Sequence, residues 1–177
     1  MQVIRIWGFF LCLMIFGISL QAQDKIFETS QLSETGKKAF ETLSSVNSFA
    51  LGGTGYGGEI SAGELALREL VRERQATVAL RQLVSTATPE GALYALLGLK
   101  LLKCECLKTE YEHFASLPEP DARSDKGRLP TAKGHVRRMA GCIGFQEERL
   151  KVAKNILDGD EEIDRAIKHW PAFIPGN

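Results

Sequence analysis

The sequence has no excess of either charge: 22 Lys and Arg stand against 22 Asp and Glu in 177 residues. A balanced chain projects no long-range field, which argues against nucleic acid or anionic lipid as partners drawn by charge. Histidine is scarce, and His113, His135 and His169 stand in no motif that would pair them with a nucleophile. G-x-S-x-G is missing, as are C-x-x-C and the Gly-Lys-Ser or Gly-Lys-Thr that ends a phosphate loop. These gaps exclude the hydrolase nucleophile elbow, the thioredoxin-type pair and the P-loop. No catalytic, cofactor-binding or metal-binding residue is assigned, and no cofactor is expected.

Long apolar runs are also few. The run Ile6 to Leu20 is interrupted only by Gly8, Gly17 and Ser19, follows Arg5, and gives way to Gln21-Ala22-Gln23. It is shorter than the roughly 20 residues that cross a bilayer. Basic start, apolar centre and small residue at the end predict a signal peptide over residues 1–22, leaving 23–177 as a single exported domain. The expected location is secreted or periplasmic, with no stable membrane insertion after cleavage. Loss of Arg5 leaves a net charge of −1, and about 155 residues suffice for a self-sufficient core.

Export removes Cys12 and leaves Cys104, Cys106 and Cys142. An odd number in an oxidising compartment predicts one disulfide and one remaining thiol. Ala95, Leu99, Leu102 and Cys106 recur at helical spacing, so Cys106 falls on an apolar face and is expected to bond to Cys142. A metal site from Cys104, Cys106, Cys142 and His135 is disfavoured, because zinc sites space their paired cysteines by two to four residues.

The most determined local stretch runs from Gly52 to Leu70. Gly52, Gly53, Gly55, Gly57 and Gly58 lead into Ser61 and Glu64, which read as a capping box. Gly53, Gly55 and Gly58 match G-x-G-x-x-G, but no second strand of a βαβ unit is evident after them, so a structural glycine loop is expected in place of a dinucleotide site. Val46 to Leu51 reads as a brief extended segment before it. Leu65, Ala66, Leu67, Leu70 and Val71 then give an apolar helical face.

Further helices are expected at 35–43, 75–87, 108–117, 146–157 and 161–170. Val78, Leu80, Leu83 and Val84 form the inward side of the second of these, and Leu150, Ala153 and Leu157 that of the fourth. Thr88-Pro89-Glu90 starts a helix that is apolar almost all round and therefore central. Residues 118–134, rich in proline and glycine, read as a mobile surface loop, and 136–145 stays open between strand and helical lead-in. Short helices joined by tight turns predict a mainly α domain packed in the style of HEAT or armadillo arrays.

The segments ALGGTGYGGEISAGELALREL and ATPEGALYALLGLKLL resemble stretches of uncharacterised secreted bacterial α-helical proteins. The resemblance covers roughly half of the mature chain and implies no activity. The expected function is that of a non-catalytic exported helical domain that presents a surface to an unknown protein partner. The alternatives are an enzyme whose site gathers dispersed residues near the glycine loop, and a carrier of a small apolar ligand with a cavity between its helices.

Overall fold

The computed structural model describes residues 27–123, 130–168 and 170; the expected signal peptide lies outside them. Seven α-helices and four strands are present among the described residues. They are α1 (Glu34–Ser45), β1 (Phe49–Thr54), β2 (Glu59–Ile60), α2 (Ala62–Leu70), α3 (Ala76–Thr86), α4 (Pro89–Leu101), α5 (Leu107–Ser116), β3 (His135–Gly141), β4 (Ile143–Glu148), α6 (Arg149–Asp158) and α7 (Glu161–Lys168). The strands form one sheet in the order β2-β1-β3-β4. β1 and β3 run parallel with Phe49 opposite Arg138, and the two flanking pairs are antiparallel hairpins.

The chain is therefore α/β, and the expectation of a mainly α, HEAT-like stack is overturned by this mixed sheet. The strands escape a reading of apolar alternation for a physical reason. β1 spends two of its six positions on glycine. β3 places Arg138 on the same face as Val136, where the guanidinium is buried between Phe49 and Phe145 and paired with Glu147. β4 is exposed along most of its length, so a sheet without two apolar faces leaves little periodic trace. The residues 146–148, expected to open a helix, complete β4 instead.

α4 is the centre of the molecule. Ala92 to Leu97 and Leu99 are all buried at 2 % exposure or less, as an almost uniformly apolar helix requires. Thr88 caps it by accepting the N–H of Gly91 at 3.2 Å, with Pro89 at the first helical position. Helices α1, α2, α3, α5 and α6 pack around it, and β1 and β3 lie across it. Phe49 meets the ring of Tyr94 at 4.7 Å between centroids, which joins sheet to helices.

Three inward positions are reassigned. Leu65, Val78 and Leu150 are 48, 40 and 39 % exposed. The buried side of α6 runs through Val152, Ala153 and Ile156, one helical position away from the expected stripe. α4 ends in a turn in which Cys104 N–H bonds Leu99 O and Lys103 N–H bonds Lys100 O. Lys103 takes the left-handed conformation there (φ 51°) that glycine normally supplies.

The stretch 118–134, expected to be a mobile loop, is tied at its described ends. Arg123 and Thr131 exchange two backbone hydrogen bonds of 2.9 and 2.7 Å. The Arg123 guanidinium reaches both oxygens of Glu90, at 2.7 and 2.9 Å. Glu90 is fully buried and also accepts the N–H of Arg137 at 3.0 Å, at the level of β3 where β1 has not yet begun to pair. One carboxylate in the first turn of α4 thus holds both the start of the sheet and the returning chain.

Candidate interaction site

The glycines build a hairpin between two strands. Gly53 lies on β1 opposite Ile60, and Gly58 N–H closes the turn on Gly55 O at 3.3 Å. Gly52, Gly55 and Gly58 all have positive φ (76°, 69° and 64°), and a Cβ on Gly53 would lie 2.9 Å from Gly58 O. Gly57 sits in the turn beside Tyr56, which is fully exposed at the tip. A parallel partner for β1 does exist in β3, contrary to the expectation of no second strand, yet the loop is not shaped for phosphate. β2 separates the glycines from α2, and the Gly52 N–H is taken by Glu64 Oε2 at 2.6 Å. A buried carboxylate at that point repels an anion.

Ser61 caps α2 by accepting the N–H of Glu64 at 3.1 Å. Glu64 does not reach back to Ser61 as a capping box would. Its carboxylate instead joins Gly52 N–H to Arg68, whose guanidinium lies 4.7 Å from the Trp170 ring centroid. Ser61 Oγ also donates to Ala50 O at 2.9 Å and lies 3.1 Å from Tyr94 Oη. Tyr94 Oη takes the Ala50 N–H at 2.9 Å and donates to Ala50 O at 2.7 Å. Burial pushes the Tyr94 phenol up to about 12, against the opposing hydrogen bonds with Ser61 and Ala50. A phenol held neutral in this way is no base for Ser61, so the network is a fastener between β1, α2 and α4.

Ser85 on α3 lies 2.9 Å from His113 Nε2 on α5, a contact that separate sequence positions concealed. Ser85 sits in the body of a helix, where backbone N–H groups are engaged and none is left to stabilise an oxyanion. The cavity beside it, about 180 Å³ and lined by Val84, Ala92, Phe114 and Leu117, is smaller than the roughly 300 Å³ at which ligand pockets begin. Among the described residues no group of three or more His, Cys, Asp or Glu is placed to hold a metal, and no helix is long and apolar enough to cross a membrane.

The expected Cys106–Cys142 bond is not formed. Cys104 bonds to Cys106, with Cα atoms 5.1 Å apart, and Cys142 is a free, exposed thiol. Helix α4 ends at Leu101, so the helical face that pointed Cys106 inward stops before it. Cys142 occupies the β3–β4 turn, beside the glycine hairpin, where Gly55 N–H bonds Gly141 O at 3.0 Å. A loop of three residues removes about 1.5 kcal/mol of unfolded-chain entropy, against roughly 3–4 kcal/mol for the longer loop expected.

No protein-family model, curated protein or solved structure matches this chain.

A further opening lies against β3 and β4. A cavity of about 520 Å³ is lined by Ser48, Arg137, Arg138, Met139, Gly144, Phe145 and Gln146. In the β3–β4 register Arg137 faces Gln146 and Met139 faces Gly144, and the missing side chain at Gly144 deepens the groove. Gln146 is fixed by accepting Ala132 N–H at 2.8 Å and donating to Pro130 O at 2.6 Å. Burial pushes the Glu147 carboxyl up, but hydrogen bonds from Arg138 and Lys151 and their charges outweigh it and hold it below the usual range. The rear of the groove is therefore rigid.

β4 borders this groove and, among the described residues, pairs only with β3, which leaves its outer backbone edge without a described strand. Ile143 and Phe145 are 69 and 38 % exposed, while the acidic residues Glu147 and Glu148 are confined to its end. Proteins ordinarily blunt such edges with charge along their length. The first half of β4 is left unguarded.

Proposed function

We propose that this chain is an exported binding domain that takes an extended segment of a partner protein along β4. The observation that carries the reading is the open β4 edge with exposed Ile143 and Phe145, beside a fixed groove of about 520 Å³. Strand addition uses backbone hydrogen bonds for affinity and side-chain pockets for specificity, and this edge offers both. Export is part of the proposal and rests on Arg5 and the apolar run Ile6 to Leu20. A secreted or periplasmic location follows from it. The binding role is separate from the mixed architecture, which merely supplies a strand edge in place of a helical surface.

A photo-reactive residue placed at Ile143, with a control at the exposed Val78 on α3, tests the reading in an envelope fraction. The expected result is a discrete cross-linked partner from position 143 that is absent from 78 and is lost in F145D. Equal labelling from both positions, or labelling indifferent to F145D, would overturn it.

A further inference from the structure

The disulfide lies where a cross-link contributes little to the fold. Cys104 and Cys106 enclose a single residue, Glu105. The chain is already turned there by hydrogen bonds from Cys104 N–H to Leu99 O at 3.0 Å and from Leu107 N–H to Cys104 O at 3.1 Å. A bond closing so short a loop restrains the unfolded chain weakly. Its surroundings instead bear on the sulfurs. The N–H of Cys106 donates to Cys104 Sγ at 3.2 Å, and a hydrogen bond to a sulfur favours its thiolate. Cys106 is the N-cap of the ten-residue helix α5, and no side chain caps that end, so the positive end of the helix dipole acts on the same pair. Both cysteines are half-buried and flank the exposed Glu105.

We infer that Cys104–Cys106 is a reversible redox pair that exchanges with the dithiol of a protein or peptide. A thiolate of the reduced dithiol attacks Cys106 Sγ and forms an S–S bond to it. The Cys104–Cys106 bond breaks, and its electron pair leaves on Cys104 as the thiolate that the Cys106 N–H stabilises. The second thiolate of the dithiol then attacks its own sulfur in the mixed disulfide and releases Cys106. The dithiol loses two electrons and becomes a disulfide; Cys104 and Cys106 gain them and take up the two protons as thiols. Attack at Cys106 follows from the hydrogen bond, because the better-stabilised thiolate leaves faster.

The test uses the full chain as C12S/C142S, which leaves Cys104 and Cys106 as its two cysteines, and a reduced synthetic peptide carrying two cysteines. Mixing one equivalent of each, followed by acid quenching, maleimide labelling and mass spectrometry, should show two new thiols on the chain and a disulfide in the peptide. C104S, left with one thiol and no disulfide to reduce, should lose this transfer. In glutathione buffers of stepped ratio the wild-type bond should open and re-form while the circular dichroism of the folded chain stays unchanged. A bond that stays closed at every ratio, or opens only with cooperative unfolding, would mark a structural cross-link and overturn the inference. Early adducts on Cys104 in the wild-type chain would overturn the direction of attack.

Discussion

Alkali should loosen the molecule at Tyr94 before it reaches most of the core. The phenol is fully buried and is hydrogen-bonded to the N–H and carbonyl of Ala50, with Ser61 beside it. Its folded value of about 12 stands above the ordinary 10.0. The folded state therefore holds a proton that the unfolded state releases, and this contribution is complete below pH 10 and lost as pH rises through 12. Two units correspond to roughly 2–3 kcal/mol at most. Because lysines titrate in the same window, the informative quantity is the difference between the wild-type chain and Tyr94→Phe. Tyr94→Phe costs about 1–3 kcal/mol near neutrality, since it strands the Ala50 N–H in the core. That gap should shrink as pH climbs from about 10 to 12. Urea unfolding at stepped pH measures it, and absorbance at the tyrosinate band should show one of the three tyrosines ionising after the others. A gap that stays constant with pH, or three tyrosines titrating together, would refute the reasoning.

Gly91→Ala should destabilise by about 3 kcal/mol, because its Cβ would lie 1.9 Å from Leu43 O where α1 meets α4; thermal unfolding would show it as a fall of about 6–12 °C. Lys103→Gly should raise stability by about 0.5–1 kcal/mol by relieving the left-handed backbone at φ 51°, read as a higher urea midpoint with an unchanged slope. Arg123→Ala leaves the buried Glu90 carboxylate short of its cation and should cost about 3 kcal/mol by denaturant unfolding. Glu147 is held below its ordinary range by Arg138 and Lys151, so its share of stability is present at neutral pH and lost in acid; Glu147→Gln should flatten the acid limb of a urea-midpoint profile.

The sequence carried the helices better than the sheet, for reasons that lie in particular residues. Thr88 and Pro89 mark the start of α4, and the apolar run after them has only one place to go. Ser61 likewise marks α2. β1 and β3, by contrast, recognise each other through parallel backbone pairing that sets Phe49 opposite Arg138, which leaves no local signature. Glu64 read as the capping-box partner of Ser61 and Glu90 as a first-turn acid, and only the folded chain brings Gly52 to one and Arg123 and Arg137 to the other. The candidate interaction site was illegible for the same reason. An edge strand is defined by the absence of a neighbour, and Ile143 and Phe145 read in isolation as residues of unassigned structure. The cysteine pairing failed at a boundary, since α4 stops before the helical argument reaches Cys106.

The parallel pairing of β1 with β3 also orders events in time. It joins residues about 90 positions apart, and contacts of that separation form late because a long loop must close first. The β3–β4 hairpin and the helices around α4 rely on nearer neighbours. During synthesis β1 and its glycine hairpin emerge long before the strand that completes them. Until β3 arrives, β1 has β2 on one side and an empty edge on the other. If the proposed export holds, a sheet that cannot close until its C-terminal third is present delays the final state until transit is nearly done.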